Sequence, residues 1–135
     1  MMTGNGGAMD IGYTVQTSKS FDEAVAKIEE RSAAKGFRVL YVHDVQSTLA
    51  EKGLKRDSFK IIEICNSKFA HKVLGISEDV GLFMPCKINV YVKKGKTVIS
   101  AMRPAMIGEF FENKELREVA KEVDAITRSI VDEAK

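Results

Sequence analysis

The sequence predicts a single α+β domain: a curved antiparallel sheet with two long helices packed on one face. Three observations lead there. Strand-forming runs recur at Phe37 to Val45, Ser58 to Cys65 and Lys87 to Met102. The last run folds back on itself about Lys94-Gly95 as a hairpin. A helix with one continuous apolar stripe closes the chain. The element order is β-α-β(4)-α, with short helical inserts between the middle strands.

Residues 1–10 carry three closely spaced glycines and read as a flexible tail, leaving 11–135 as the domain. No strand precedes those glycines and no Gly-Lys-Ser/Thr follows, so they lack the context of a phosphate loop. Ile11 to Thr17 alternates as a first strand. Ser20-Phe21-Asp22-Glu23 is a capping box, in which Ser20 and Glu23 satisfy each other's backbone amides. The helix it starts buries Phe21, Val25, Ile28 and Ser32, and Gly36 ends it. Gln46 to Lys52 reads as a short helix before Gly53, and 67–74 as a short amphipathic one. Arg103-Pro104 ends the hairpin. From Asn113 to Ala134 the stripe is Leu116, Val119, Ala120, Val123, Ile126, Ile130 and Ala134, with Asp124 and Arg128 spaced to pair on its outer side. Ile28, Leu40, Val42, Ile62, Ile64, Val90, Val123 and Ile126 are the expected core.

Composition narrows the function. A 135-residue chain with 44% hydrophobic residues buries about two-thirds of its unfolded surface without disulfide staples. The two cysteines are therefore not a secreted framework. No apolar stretch reaches the ~20 residues of a bilayer span and no signal segment opens the chain, so a cytoplasmic setting is expected. The formal net charge is only +2 and tryptophan is absent, which argues against a nucleic-acid partner. Basic residues gather at Lys93-Lys94-Gly95-Lys96 and at Lys52, Lys55 and Arg56, where they read as solvated loops.

The residues able to carry chemistry cluster around two thiols. Cys65 ends a strand just before Asn66 and Ser67, which suit the start of a helix. The positive end of that helix would favour thiolate, while Glu63 on the same strand parity would oppose it. Cys86 opens a strand after Pro85, whose ring removes an amide donor and holds Met84 extended. Asn66 can cap the helix or donate to a ligand. Packing as a small hydrophobe is the plain alternative for Cys65. His71, Met84 and Met102 add soft ligand types, yet no Cys-x-x-Cys or His-x-x-x-His spacing joins them into a metal site. His43 and Asp44 are consecutive on a strand and face opposite ways, so they form no dyad.

The segments Glu63-Ile64-Cys65-Asn66, Ala70, Met84-Pro85-Cys86-Lys87-Ile88-Asn89-Val90-Tyr91 and Arg103-Pro104 resemble the bacterial and archaeal family catalogued as domain of unknown function 302. The likeness extends to the Phe21-led helix, to Gly36-Phe37 and to the closing helix. Ser67 stands where the family usually has proline, and Lys87 where it usually has arginine. The resemblance implies a β-α-β(4)-α fold of the TATA-binding-protein-like type and a homodimer. It implies no reaction, cofactor or catalytic residue, and for some members it points to sulfur metabolism.

The expected function is a binding domain rather than an enzyme: a homodimer that takes a small ligand at a rim site near Cys65, Asn66, Met84, Pro85 and Cys86. A thiol- or persulfide-handling protein that uses Cys65 and Cys86 is the alternative, and a metal or haem carrier a more distant one. Strands two and three are apolar on both parities. Phe37, Val39, Phe59 and Ile61 are therefore expected to form a face that a second subunit covers.

Overall fold

The computed structural model describes residues 11–135, and the expected tail over residues 1–10 lies outside them. Five strands form one antiparallel sheet: β1 (Gly12–Thr17), β2 (Arg38–Asp44), β3 (Phe59–Cys65), β4 (Cys86–Lys93) and β5 (Lys96–Met102). Their spatial order is β1-β5-β4-β3-β2, which puts β1 and β2 at the edges. The two long helices, α1 (Phe21–Ala34) and α5 (Lys114–Ala134), lie on one face as expected. No helix among the described residues is long and apolar enough to cross a membrane.

Local chemistry sets most boundaries. Ser20 and Glu23 form the capping box at α1, with Glu23 N donating to Ser20 Oγ at 3.2 Å and Ser20 N to Glu23 Oε1 at 3.1 Å. The β4–β5 turn places Lys94 and Gly95 at φ 52° and 75°, the paired left-handed residues that suit the twist of a tight hairpin. Asn113 caps α5 by accepting from Leu116 N at 2.9 Å. Short helices fill the links: α2 (Val45–Ala50), α3 (Ser67–Ile76) and α4 (Pro104–Ile107), with 3-10 turns over Glu78–Phe83 and Gly108–Phe110. The first of these turns occupies a stretch in which the sequence pattern showed no element.

The main core lies between the sheet and the helix pair. Ile62, Ile64, Ile88, Val90, Ile99 and Ala101 point from the sheet toward Ala24, Val25 and Ile28 of α1 and Val119, Val123, Ile130 and Val131 of α5. A smaller cluster of Val80, Ile107 and Leu116 seals one end, with Phe83, Met84 and Met102 against it.

Three expectations need correction. Leu40 is not core but 48% exposed, because a bulge between Val39 and Tyr41 inserts it as an extra residue in β2. The same bulge lets both Val39 and Val42 face inward. Phe37 is 2% exposed and also faces the core, so the outward face is not the one expected. That face carries Phe59, Ile61, Tyr91 and Val98 interleaved with polar Thr14, Gln16, Asn89, Ser100 and His43. Finally, Asp124 pairs with Arg128 as its spacing implies, but on a buried side of α5. Its Oδ2 accepts from Arg128 Nε at 3.1 Å and its Oδ1 from the amide of Ala105 at 3.1 Å, while Arg103 Nε lies 3.6 Å away. One carboxylate thereby caps α4 and draws Arg103-Pro104 onto the closing helix.

Two stability outcomes follow from this packing, both measurable by chemical denaturation. Ile130→Ala, at a fully buried site, is expected to cost about 2–5 kcal/mol, and Ile126→Ala less because Ile126 is only partly buried. Asp124→Ala strips two donors of their acceptor and Arg103 of its ion-pair partner, and is expected to cost about 1–3 kcal/mol, limited by the partial exposure of both arginines.

Candidate functional site

The end of β3 and the start of β4 meet α3 at the rim of the sheet. Asn66 organises this junction. Its Oδ1 accepts from Phe69 N at 3.1 Å, capping α3, and its Nδ2 donates to the carbonyl of Gly36 at 3.0 Å. Gly36 adopts φ 83°, the left-handed turn that ends α1, and Phe37 follows it into the core with its ring 6.3 Å from that of Phe69. Both ends of the Asn66 amide are thus committed to backbone. The side chain borders the site as a brace, with one N–H of its amide given to Gly36 and the other without a partner among the described residues.

Across from Cys65, the chain enters β4 through Met84, extended at φ −104° and ψ 154°, and Pro85; the Met84–Pro85 peptide bond is cis. Cys86 pairs in register with Ile64, so Cys65 and Cys86 lie on adjacent strands one residue out of step, both as free thiols. Lys87 Nζ turns back to the carbonyl of Pro85 at 3.2 Å.

These elements enclose an apolar cavity of about 70 Å³. Cys65, Asn66, Met84, Pro85 and Cys86 all line it, together with Phe69, Ala70 and Val73 of α3, Pro104 and Ile107 of α4, and Leu116, Val119, Ala120 and Val123 of α5. All five residues singled out in the sequence therefore converge on one space. The walls from α4 and α5 were not identified beforehand. The α5 stripe was legible as apolar, but nothing in its periodicity says which part faces a cavity.

Burial dominates the electrostatics. It pushes the Cys65 thiol above its ordinary value, against the direction expected from a helix N-terminus. Glu63 shares the strand parity of Cys65 but contributes nothing to that shift; its carboxylate is taken up by His43, with Oε2 2.8 Å from His43 Nε2. Cys86 is the deeper thiol; burial first, then the neighbouring Cys65, raise its pKa to about 11, with Lys87 opposing only in part. Both sulfurs are protonated at neutral pH and behave as apolar lining.

The remaining chemical candidates are dispersed. His71 is exposed on α3, and Met102 packs into the smaller cluster rather than the cavity. Among the described residues, no group of three or more His, Cys, Asp or Glu side chains is gathered to hold a metal ion. His43 and Asp44 diverge as expected. The diagonal cross-strand pair of His43 with Glu63 was not anticipated, because the β2 bulge shifts the register that a sequence reading assumes.

Comparison with known proteins bears on this arrangement. The family described as "Domain of unknown function DUF302" matches residues 13–134. A crystal structure of an uncharacterised conserved DUF302 protein from Bacillus stearothermophilus aligns with a TM-score of 0.88 at 32% identity, covering 94% of this chain and 100% of that one. No curated protein matches. The segments that suggested the resemblance, distant in sequence, meet at the cavity just described, and by sequence and by fold the chain belongs to the domain of unknown function 302 family.

Proposed function

We propose that the protein is a homodimeric binding module whose rim cavity takes a small apolar or sulfur-bearing group. One observation carries this reading: Cys65, Asn66, Ala70, Met84, Pro85, Cys86 and Pro104, from four separate stretches of chain, line one apolar space. Close packing leaves few voids in a native core, so a space built from so many elements is a candidate pocket. A brace such as Asn66 supports binding better than reaction, since it fixes shape without presenting a reactive group. Exposed Leu40 and Tyr41 on the edge strand β2 are the apolar surface proposed to meet a second copy.

Xenon and 1-propanethiol are suitable probes of the cavity. Each is expected to shift methyl NMR signals of Val73, Ile107, Val119 and Val123 and to leave those of the β1 end unchanged. Ala70→Leu fills the space and should abolish the shifts; their absence from the native protein at millimolar probe would count against the binding reading. Sedimentation at tens of micromolar should give a dimer, and a 15.0 kDa monomer would remove the second-copy part of the proposal.

The second reading, thiol or persulfide handling, is favoured by the two free cysteines, which lie on neighbouring strands and both line the same cavity. It needs a thiolate, and burial works against one. Native alkylation at pH 7 is therefore expected to be slower at both cysteines than at a model thiol; fast labelling of Cys65 would instead promote the thiol reading. The raised pKa of Cys86 also sets the sign of a pH effect. The folded state holds that proton more tightly than the unfolded chain, so stability is full below pH 9.0 and falls as pH rises toward about 11. Cys86→Ala should flatten that alkaline slope in denaturation curves.

A further inference from the structure

A second concavity, of about 600 Å³, lies at the other end of β3 and β4 from the thiol cavity. Its floor is Phe59 and Tyr91, cross-strand partners whose rings stack at 5.1 Å and 10°. Its rim brings together the two basic segments that read as unrelated solvated loops in the sequence. Lys55 and Arg56 come from the link before β3, and Lys93 and Lys94 from the β4–β5 turn. Asp57 is the sole carboxylate among the lining residues. Four cations thus surround one space in a chain whose formal net charge is only +2.

None of those four cations forms an ion pair with a carboxylate of the described residues. The rim is nevertheless held in place. The Arg56 guanidinium sits 4.8 Å from the Phe59 ring centroid, within cation–π range. The Arg56 carbonyl accepts from Gln46 Nε2 at 3.0 Å, and the Ser58 carbonyl accepts from Val92 N at 2.9 Å. The loop is therefore tied to both α2 and β4. Like charges gathered around a concavity focus a positive field, and anions answer it. The volume falls in the range of about 300–1,000 Å³ typical of ligand sites.

We propose that this concavity binds a compact polyanion bearing an aromatic ring, the chemistry of a nucleoside polyphosphate. Lys55, Arg56, Lys93 and Lys94 hold the phosphoryl groups, with Arg56 able to bind two oxygens at once, and the ring lies against Tyr91. A nucleic-acid strand carries the same groups. It would need a track of positive charge extending past the concavity, and the near-balanced charge of the whole chain favours the compact ligand. The site is separate from the thiol cavity and stands independently of its ligand.

Calorimetric titration of the full chain with ATP, adenosine, tripolyphosphate and a short oligothymidylate tests this. ATP is expected to bind more tightly than adenosine or tripolyphosphate, and its affinity should fall as salt is added. Lys55→Glu combined with Lys93→Glu, both at exposed positions, should weaken ATP by at least about tenfold without changing the circular dichroism spectrum. Tyr91→Leu should weaken ATP and leave tripolyphosphate unchanged, which separates ring contact from charge alone. No binding of ATP at millimolar concentration, indifference to the charge reversal, or tighter binding of the oligothymidylate than of ATP would each overturn the proposal.

Discussion

The side-chain amide of Asn66 joins three parts of the chain that are far apart in sequence: the end of β3, the start of α3 and the turn after α1. A carboxamide suits this position because it offers an acceptor and a donor pointing opposite ways. The acceptor satisfies an orphan amide of α3, and the donor reaches a carbonyl that the left-handed turn at Gly36 has exposed. With that tie in place, Phe37 and Phe69 pack side by side, α3 stands off the sheet, and the space between them becomes the cavity. Cys65 is directed by the same constraint, since it immediately precedes the braced residue.

Asp124 acts in a comparable way on the opposite wall. A carboxylate buried between Arg103 and Arg128, with one oxygen bonded to the amide of Ala105 in α4 and the other to Arg128, has its charge matched and each oxygen hydrogen-bonded. It positions Pro104 and Ile107 against α5, and both border the cavity. Arg103-Pro104, which looked like a simple strand terminator, is thus one side of the site. Two polar braces hold an apolar space between them.

These two cavities have opposite characters. At one end of β3, partly buried thiols sit among hydrocarbon and are kept neutral. At the other end, cations crowd around an aromatic floor and stay open to water. A single strand separates Phe59 from Cys65, and the alternation of its side chains sends Ile62 and Ile64 to the core while Ile61 and Glu63 face outward. The sheet therefore serves as a rigid spacer between regions of different dielectric character.

Local periodicity was enough to read α1, α5 and the β4–β5 hairpin, because capping boxes, apolar stripes and left-handed turn residues act over a few positions. Five of the residues that line the thiol cavity were also legible as a group, from their placement around the two cysteines. Other features needed the tertiary structure. A bulge inserts one residue, and nothing in Val39-Leu40-Tyr41 says which of them is extra, so the exposure of Leu40 and the inward turn of Phe37 and Val39 could not be read in advance. The direction of the Cys65 shift was decided likewise: the helix start beside it is local, whereas the burial that raises its pKa depends on the folded surroundings. The same holds for the basic rim, where two short runs of lysine and arginine acquire meaning only once antiparallel pairing of β3 with β4 sets them on either side of one concavity.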